Sequence, residues 1–229
     1  MLKQLKNEVF EANLSLVDQG LVLFTWGNVS AIHREKGLVA IKPSGISYEM
    51  MKPEDIVIVD LNGNVVEGHW KPSSDTSTHL ELYQKFPTIG AVAHTHSKWA
   101  TIWAQARRPI PVLGTTHADN FHGDIPVTRR ISKTEVLGQY EQNTGLLIVE
   151  TFTEQGIDPM SIPAVLVANH GPFSWGINAR EAVVNAAVME YCAEMAYYAL
   201  ELNNRTALDP FLLDKHYQRK HGKDAYYGQ

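Results

Sequence analysis

Hydrophobic residues recur at helical spacing at the start of the chain. Leu2, Leu5, Val9 and Ala12 follow one another at intervals of three or four residues, with charged residues between them. This spacing places the apolar side chains on one face and predicts an amphipathic first helix. An alanine-rich segment near the other end of the chain, residues 178–202, predicts one long helix.

Short β-prone runs follow the first helical pattern. Residues 28–33 and 38–41 are separated by a charged turn, and residues 56–61 reach the apolar residues 65–66 through Asn62-Gly63. An Asn-Gly pair between two apolar runs is typical of a tight hairpin. The pattern predicts antiparallel pairing in this part of the chain.

Helix boundaries are predicted at several polar segments. A helix should begin after residues 73–75 and end before Pro87, since proline cannot continue a helix. Residues 132–135, Ser-Lys-Thr-Glu, have the spacing of a capping box. We expect this box to open a helical region that ends near Gly156, with a break between two helices at Gly145.

Composition bounds the class of protein. The chain has 229 residues, of which 44% are hydrophobic and 20% charged, enough for a full core. We find no repeat or linker and expect one domain over residues 1–229. The net charge of −5 argues against nucleic acid or anionic membranes as partners, and no apolar stretch approaches a membrane span or a signal peptide. We expect a cytoplasmic protein whose single cysteine, Cys192, is a core residue.

Three histidines stand at the ends of two apolar runs. His94 and His96 follow residues 89–93, and His170 follows residues 164–168. Side chains two residues apart on a strand share a face, so His94 and His96 could aim at one point, with His170 on a neighbouring strand. Three neutral imidazoles favour zinc or a similar divalent ion. The alternative is partly buried histidines bonded to the backbone, and for the trio we favour the metal.

Three turns rich in small residues are candidate anion sites. They lie at residues 25–28, 42–45 and 71–75. Glycine permits close approach, serine hydroxyls and free N–H groups donate hydrogen bonds, and Lys42 could add charge. For any one of these turns we favour ordinary turn chemistry, but three such turns beside the histidine trio favour anion binding.

Asp75 and His79 compete for one role. Asp75 could cap the helix that follows it, bind a metal, or act as an acid or base. His79 lies one helical turn later and is the alternative ligand. The spacing leaves the choice open.

Two further polar segments could carry catalytic groups. Asp119 follows the apolar run 110–114, which we expect to be a strand that gives way to a loop, so it is either a general acid or base or a solvated carboxylate. The segment 215–229 has the polarity of a frayed end, yet it holds His216 and Tyr227, so a role in the site stays open.

These motifs, in order and over nearly the whole chain, resemble those of the class II aldolase family. The segments 72–76 and 225–229 in particular resemble its pentulose-phosphate 4-epimerase branch. The resemblance implies an α/β three-layer fold in which a central, mainly antiparallel sheet is flanked by helices. It also implies a cyclic homotetramer with active sites at the subunit interfaces and a sugar phosphate as the small-molecule partner.

The resemblance also implies roles for individual residues. One Zn²⁺ per subunit, replaceable by Mn²⁺ or Co²⁺, would be held by His94, His96 and His170, with Asp75 near or on the metal. Asp119 and Tyr227 would be the paired acid and base. The residues implied in binding the substrate and its phosphate are Gly27, Asn28, Lys42, Ser44, Gly45, Ser73, Ser74 and His216.

The implied reaction interconverts L-ribulose 5-phosphate and D-xylulose 5-phosphate by cleavage and re-formation of the C3–C4 bond, in arabinose or ascorbate degradation. One alternative is an aldolase of the same family that releases its fragments, although such enzymes commonly have a glutamate where this chain has Asp75. A second is a metal-free binding module like the adducin head. A third is a non-haem iron oxygenase that uses His117 and Asp119.

Overall fold

The protein is described by a computed structural model that covers residues 2–204 and 206–227, so the last two residues of the 225–229 motif lie outside the described part. The helices are α1 (Leu2–Asp18), α2 (Thr76–Lys85), α3 (Lys98–Ala106), α4 (Thr115–Ala118), α5 (Lys133–Leu137), α6 (Tyr140–Gln155), α7 (Ala179–Leu202) and α8 (Pro210–His221). The strands are β1 (Asn28–His33), β2 (Leu38–Ile41), β3 (Val57–Asp60), β4 (Val65–Glu67), β5 (Ala91–His94), β6 (Ala164–Val167) and β7 (Gly171–Gly176).

The strands form one seven-stranded sheet in the order β4-β3-β2-β1-β5-β7-β6, and every neighbouring pair is antiparallel. Helices cover both faces because side chains alternate along each strand. In β5, Ala91 and Ala93 pack with the cluster that holds α1 and the start of α7, whereas Val92 packs with α2 and α6. This arrangement confirms the predicted three-layer α/β fold.

The predicted early elements are confirmed. The first helix buries Leu5, Val9 and Ala12, and β1 and β2 occupy the predicted ranges. The hairpin between β3 and β4 is held by Asp60, whose Oδ1 accepts the backbone N–H groups of Asn62 and Asn64. The sequence pattern therefore located this edge of the sheet well.

The predicted helix break at Gly145 is wrong. Gly145 lies inside α6, and the break falls between α5 and α6 at residues 138–139. A Cβ atom at position 145 would lie 2.7 Å from Glu81 Cβ and 3.0 Å from the carbonyl oxygen of Thr78. The glycine therefore lets α2 and α6 approach closely. The capping box is present as predicted, with Ser132 and Glu135 bonded to each other's backbone N–H.

The segment before Asp119 also differs from the expectation. Residues 110–114 form no strand, because Ile110 pairs with Ile125 only through an isolated bridge. Residues 115–118 form the short helix α4, so Asp119 stands at its C-terminal end. Most of residues 215–227 belong to α8 rather than to a frayed end.

Two further observations bear on the composition. Cys192 is buried in α7, as predicted. Among the helices in the described ranges, none combines the length and the hydropathy that crossing a membrane requires.

Candidate metal centre and adjoining cleft

The three histidines converge at one edge of the sheet. His94 is the last residue of β5 and pairs with Asn28 of β1 and Phe173 of β7. His96 lies two residues past the end of β5, so the two histidines do not share a strand as expected. His170 lies in the turn between β6 and β7, and the strand beside β5 is β7. The convergence was predicted correctly, although the elements that produce it were not.

The imidazole nitrogens are close enough to share one ion. One nitrogen from each of His94, His96 and His170 lies within 4.8 Å of the others, and the Nε2 atoms of His94 and His96 are 3.2 Å apart. His94 is buried, His170 is half-buried and His96 is exposed to the cleft. Among the described residues, these three form the group whose atoms could hold a metal ion.

The protonation states also suit a metal. A carbonyl oxygen can only accept, so the 2.9 Å contact between His94 Nδ1 and the Pro172 carbonyl makes Nδ1 the donor, and Nε2 is the nitrogen that faces His96 and could bind a metal. Metal-binding histidines commonly make such a bond through their second nitrogen. Burial lowers the pKa of His170 to about 3, and burial also lowers the pKa of His96. The His96 and His170 rings can therefore offer uncharged nitrogens near neutral pH.

A cleft of about 560 Å³ opens beside the histidines. Its walls come from the three predicted turns, from the ends of β1 and β5, and from the start of α6. The lining residues are Thr25, Trp26, Gly27, Asn28, Lys42, Pro43, Ser44, Gly45, Ser73, Ser74, Asp75, His94, His96, Tyr140, Glu141 and His170. Of the residues predicted for substrate binding, seven line this cleft and His216 does not.

The turns are joined to each other by backbone hydrogen bonds. The N–H of Ser44 donates to the Lys71 carbonyl at 2.9 Å, and the N–H of Ser73 donates to the Lys42 carbonyl at 3.0 Å. Gly27 has a φ of 74°, and a Cβ there would lie 3.0 Å from the carbonyl oxygen of His94. Glycine is therefore required where this turn passes over the metal centre.

Lys42 is buried and bonds to the turns themselves. Its Nζ donates to the carbonyl oxygens of Thr25 at 3.2 Å and Ile46 at 3.2 Å, and it lies 4.8 Å from the centroid of the Tyr48 ring. Burial lowers the pKa of Lys42 to about 8. These contacts tie the first turn to the second, and direct binding of a phosphate by Lys42 stays a prediction.

Asp75 faces the cleft rather than capping its helix. It occupies the N-cap position of α2, but its side chain makes no capping bond. Instead, Asp75 Oδ2 accepts a hydrogen bond from Asn28 Nδ2 at 2.7 Å. Burial acts to raise the pKa of Asp75, but the nearby imidazoles of His94 and His79 and the Asn28 amide together hold this pKa below its usual value.

His79 does not belong to the group of histidines that could share one ion. It is fully buried, and its Nδ1 lies 2.7 Å from Ser30 Oγ, which also bonds to the Tyr83 hydroxyl. It therefore belongs to a polar cluster in the core. Of the two competing residues, Asp75 is the one that lines the cleft.

Asp119, His216 and Tyr227 form a second cluster outside the cleft lining. Asp119 accepts hydrogen bonds from His216 and from Arg219, and the Tyr227 ring lies over the Arg219 guanidinium at 4.0 Å. His117 is engaged elsewhere, since its Nε2 donates to the Gly123 carbonyl at 2.9 Å. The described chain therefore does not assemble His117 and Asp119 with the third ligand that an iron site would need.

The sequence analysis predicted no role for Tyr140, Glu141 or Arg219. Tyr140 and Glu141 line the cleft at the start of α6, and the Tyr140 hydroxyl lies 3.4 Å from His170 Nδ1. The early part of the helical region carried no signal for a site. Arg219 lies within the segment whose role was left open, but nothing in its spacing pointed to Asp119.

Comparison with known proteins identifies the family. The sequence model of the class II aldolase and adducin N-terminal domain family matches residues 7–197. The chain belongs to this family. It is 57% identical over 229 residues, the full length of both chains, to a protein named L-ribulose-5-phosphate 4-epimerase UlaF from Salmonella paratyphi A, and equally similar to one of the same name from Salmonella typhi.

Solved structures agree with the family assignment. An L-fuculose 1-phosphate aldolase is 31% identical, with a TM-score of 0.80 over 94% of this chain and 95% of its own. The L-fuculose-1-phosphate aldolase of Thermus thermophilus, at 23% identity, has a TM-score of 0.69 over 90% of this chain and 100% of its own. At that identity the second likeness shows only the class II aldolase fold.

Proposed function

We propose that this protein is a metal-dependent L-ribulose-5-phosphate 4-epimerase that interconverts L-ribulose 5-phosphate and D-xylulose 5-phosphate. The observation that carries the proposal is a cleft in which three convergent imidazoles stand beside three linked small-residue turns. Full-length identity of 57% to proteins named for this reaction supports it over an aldolase that releases its fragments. The aldolase structure reported above is 31% identical.

The metal would be Zn²⁺, with Mn²⁺ or Co²⁺ as substitutes. His94, His96 and His170 would hold it, and Asp75 would stand near it or bind it. A bound divalent ion supplies a Lewis acid that stabilises negative charge on substrate oxygens. The retained imidazole trio also argues against a metal-free binding module.

The three turns would bind the phosphate and retain the phosphate-bearing fragment. Backbone N–H groups and the hydroxyls of Ser44, Ser73 and Ser74 are the donors, and the N-terminus of α2 adds a favourable dipole. Gly27, Asn28 and Gly45 complete the wall. Lys42 would add positive charge beside the phosphate, and the hydrogen bonds from its Nζ would hold the turns together.

Asp119 and Tyr227 would serve as the paired acid and base. In the forward direction the C4 hydroxyl gives up its proton, its oxygen becomes a carbonyl oxygen, and the C3–C4 electron pair passes to the three-carbon fragment. The aldehyde then turns and is attacked on its other face, and the C4 oxygen regains a proton. Two groups suit this sequence because the C4 oxygen points in a different direction before and after.

The position of the second cluster supports a homotetramer. Asp119, His216 and Tyr227 do not line the cleft of their own chain, so we propose that each subunit presents them to the cleft of its neighbour. We also propose that the chain is a single domain, which its continuous sheet supports. A charged sugar phosphate does not cross membranes freely, so the proposed substrate would place the enzyme in the cytoplasm.

The proposal is tested by incubating metal-loaded protein with L-ribulose 5-phosphate and following the products by NMR. D-Xylulose 5-phosphate should appear, a chelator should abolish its formation, and added Zn²⁺ should restore it. His96→Ala should abolish turnover, whereas His69→Ala, at an exposed histidine outside the cleft lining, should not. Release of free two- and three-carbon products would assign the aldolase reaction instead.

A further inference from the structure

Arg219 contacts both residues of the proposed acid/base pair. We propose that Arg219 is a positioning residue that fixes the Asp119 carboxylate and the Tyr227 ring relative to one another. This inference rests on the proposed function, in which Asp119 and Tyr227 exchange protons with the substrate. Arg219 itself is not proposed to touch the substrate.

The contact with Asp119 is a two-point fork. Arg219 Nε donates to Oδ1 at 2.9 Å, and Nη2 donates to Oδ2 at 2.7 Å. The Asp119 side chain is 13% exposed and that of Arg219 22%, so solvent competes little for either group. Two parallel bonds between planar groups fix the plane of the carboxylate as well as its distance. A single point charge would not fix that plane.

The contact with Tyr227 uses both the side chain and the backbone of Arg219. The guanidinium carbon lies 4.0 Å from the centroid of the Tyr227 ring, a close cation–π geometry. The Arg219 carbonyl oxygen accepts the N–H groups of Tyr226 at 2.9 Å and Tyr227 at 3.1 Å. The ring is therefore held against the same group that orients the carboxylate.

Other contacts also join α8 to the end of α4. His216 bonds to Asp119 Oδ1, His221 bonds to the Asp119 carbonyl, and Lys220 Nζ bonds to Asn120 Oδ1. Within the described ranges, the contacts of these three side chains do not include Tyr227. Lys220 thus provides a matched control on the same helix, one residue from Arg219.

The test compares Arg219→Met, Arg219→Lys and Lys220→Met as metal-loaded, full-length proteins. Misplacing a catalytic group by about 1 Å can cost about 100-fold in rate. We expect Arg219→Met to lower kcat by about 100-fold with KM changed less than about threefold, because the cleft residues are untouched. Arg219→Lys keeps the positive charge but loses the two-point contact, so its kcat should lie between those of Arg219→Met and the wild type. Lys220→Met should retain kcat within about threefold.

A second measurement is independent of turnover. In protein labelled with fluorotyrosine, the ¹⁹F resonance of Tyr227, assigned with Tyr227→Phe, should move toward the position of exposed fluorotyrosine in Arg219→Met but not in Lys220→Met. An unmoved resonance, or equal kcat losses in Arg219→Met and Lys220→Met, would overturn the proposal. If the wild-type protein forms no epimer, the proposed function fails, and the ¹⁹F result still decides whether Arg219 positions Tyr227.

Discussion

Alanine at position 171 would place a methyl group against the candidate metal centre. Gly171 is the first residue of β7 and directly follows His170. Its added Cβ would lie 2.8 Å from the carbonyl oxygen of Thr95, 3.3 Å from His96 Cδ2 and 3.6 Å from His94 Cε1. The first distance is shorter than any comfortable contact, so the segment that carries both imidazoles must move.

The magnitude follows from the cost of overpacking. An extra methyl group in a packed site costs about 1–3 kcal/mol. Metal binding requires the imidazoles in their present positions, and the added methyl group would raise the free energy of that arrangement by this amount. The dissociation constant for the metal should then rise about 5- to 150-fold, since each 1.4 kcal/mol is a factor of ten. The displacement involves tenths of an ångström, so the sheet should still form.

Competition with a chromophoric chelator measures the effect. Gly171→Ala should bind Zn²⁺ at least about fivefold more weakly than the wild type, with a far-UV circular dichroism spectrum that is unchanged. Gly114→Ala is the matched control, because its Cβ would meet no atom within 4 Å and its backbone is extended. A wild-type dissociation constant for Gly171→Ala would refute the reasoning that Gly171 shapes this centre.

Three further predictions concern the helix contact, pH and the turns. Gly145→Ala should lower the free energy of unfolding, measured in urea, by about 1 kcal/mol, because the cost of overpacking against Glu81 exceeds the stabilisation that alanine gives a helix. A higher free energy of unfolding would contradict the close packing of α2 against α6. The hydrogen bonds from Arg129 lower the pKa of Glu135 from 4.5 to about 2, so this ion pair stabilises the fold above about pH 4.5 and loses its contribution as the pH falls toward 2. Glu135→Gln should therefore cost about 1 kcal/mol at pH 7, discounted for solvent exposure, and progressively less below pH 4; a constant difference would argue against the pair. Lys42→Met removes the hydrogen bonds from Nζ to the Thr25 and Ile46 carbonyls, and it should raise KM for the sugar phosphate about tenfold with a smaller change in kcat. An unchanged KM would contradict the proposal that Lys42 holds the substrate-binding turns together.

The parts of the fold that were predictable rest on local patterns. The first helix follows from side-chain periodicity, and the strands β1 and β2 follow from short runs of β-prone residues. The strand β7 was missed because it begins Gly171-Pro172, residues that ordinarily signal a turn. Gly145 was misjudged for a related reason, since only the neighbouring α2 shows that the glycine serves packing.

Some residues of the candidate site were predictable from local sequence patterns, and others were not. The three histidines and the small-residue turns were recognisable from residue type and spacing, and all of them reach one cleft. Arg219 was not recognisable, because its partner Asp119 lies 100 residues earlier in the chain. Likewise, the separation of Asp119 from the cleft of its own chain depends on how α8 docks on α4, which no local pattern encodes.

The central claim is that the cleft inverts a sugar carbon by breaking and re-forming a carbon–carbon bond. Its most direct test is epimerisation of L-ribulose 5-phosphate by the metal-loaded protein in D₂O, followed by NMR of the product. Bond cleavage leaves the hydrogen on C4 in place, so D-xylulose 5-phosphate should form with ordinary hydrogen at C4. Deuterium at C4, or no epimer at all, would contradict the account.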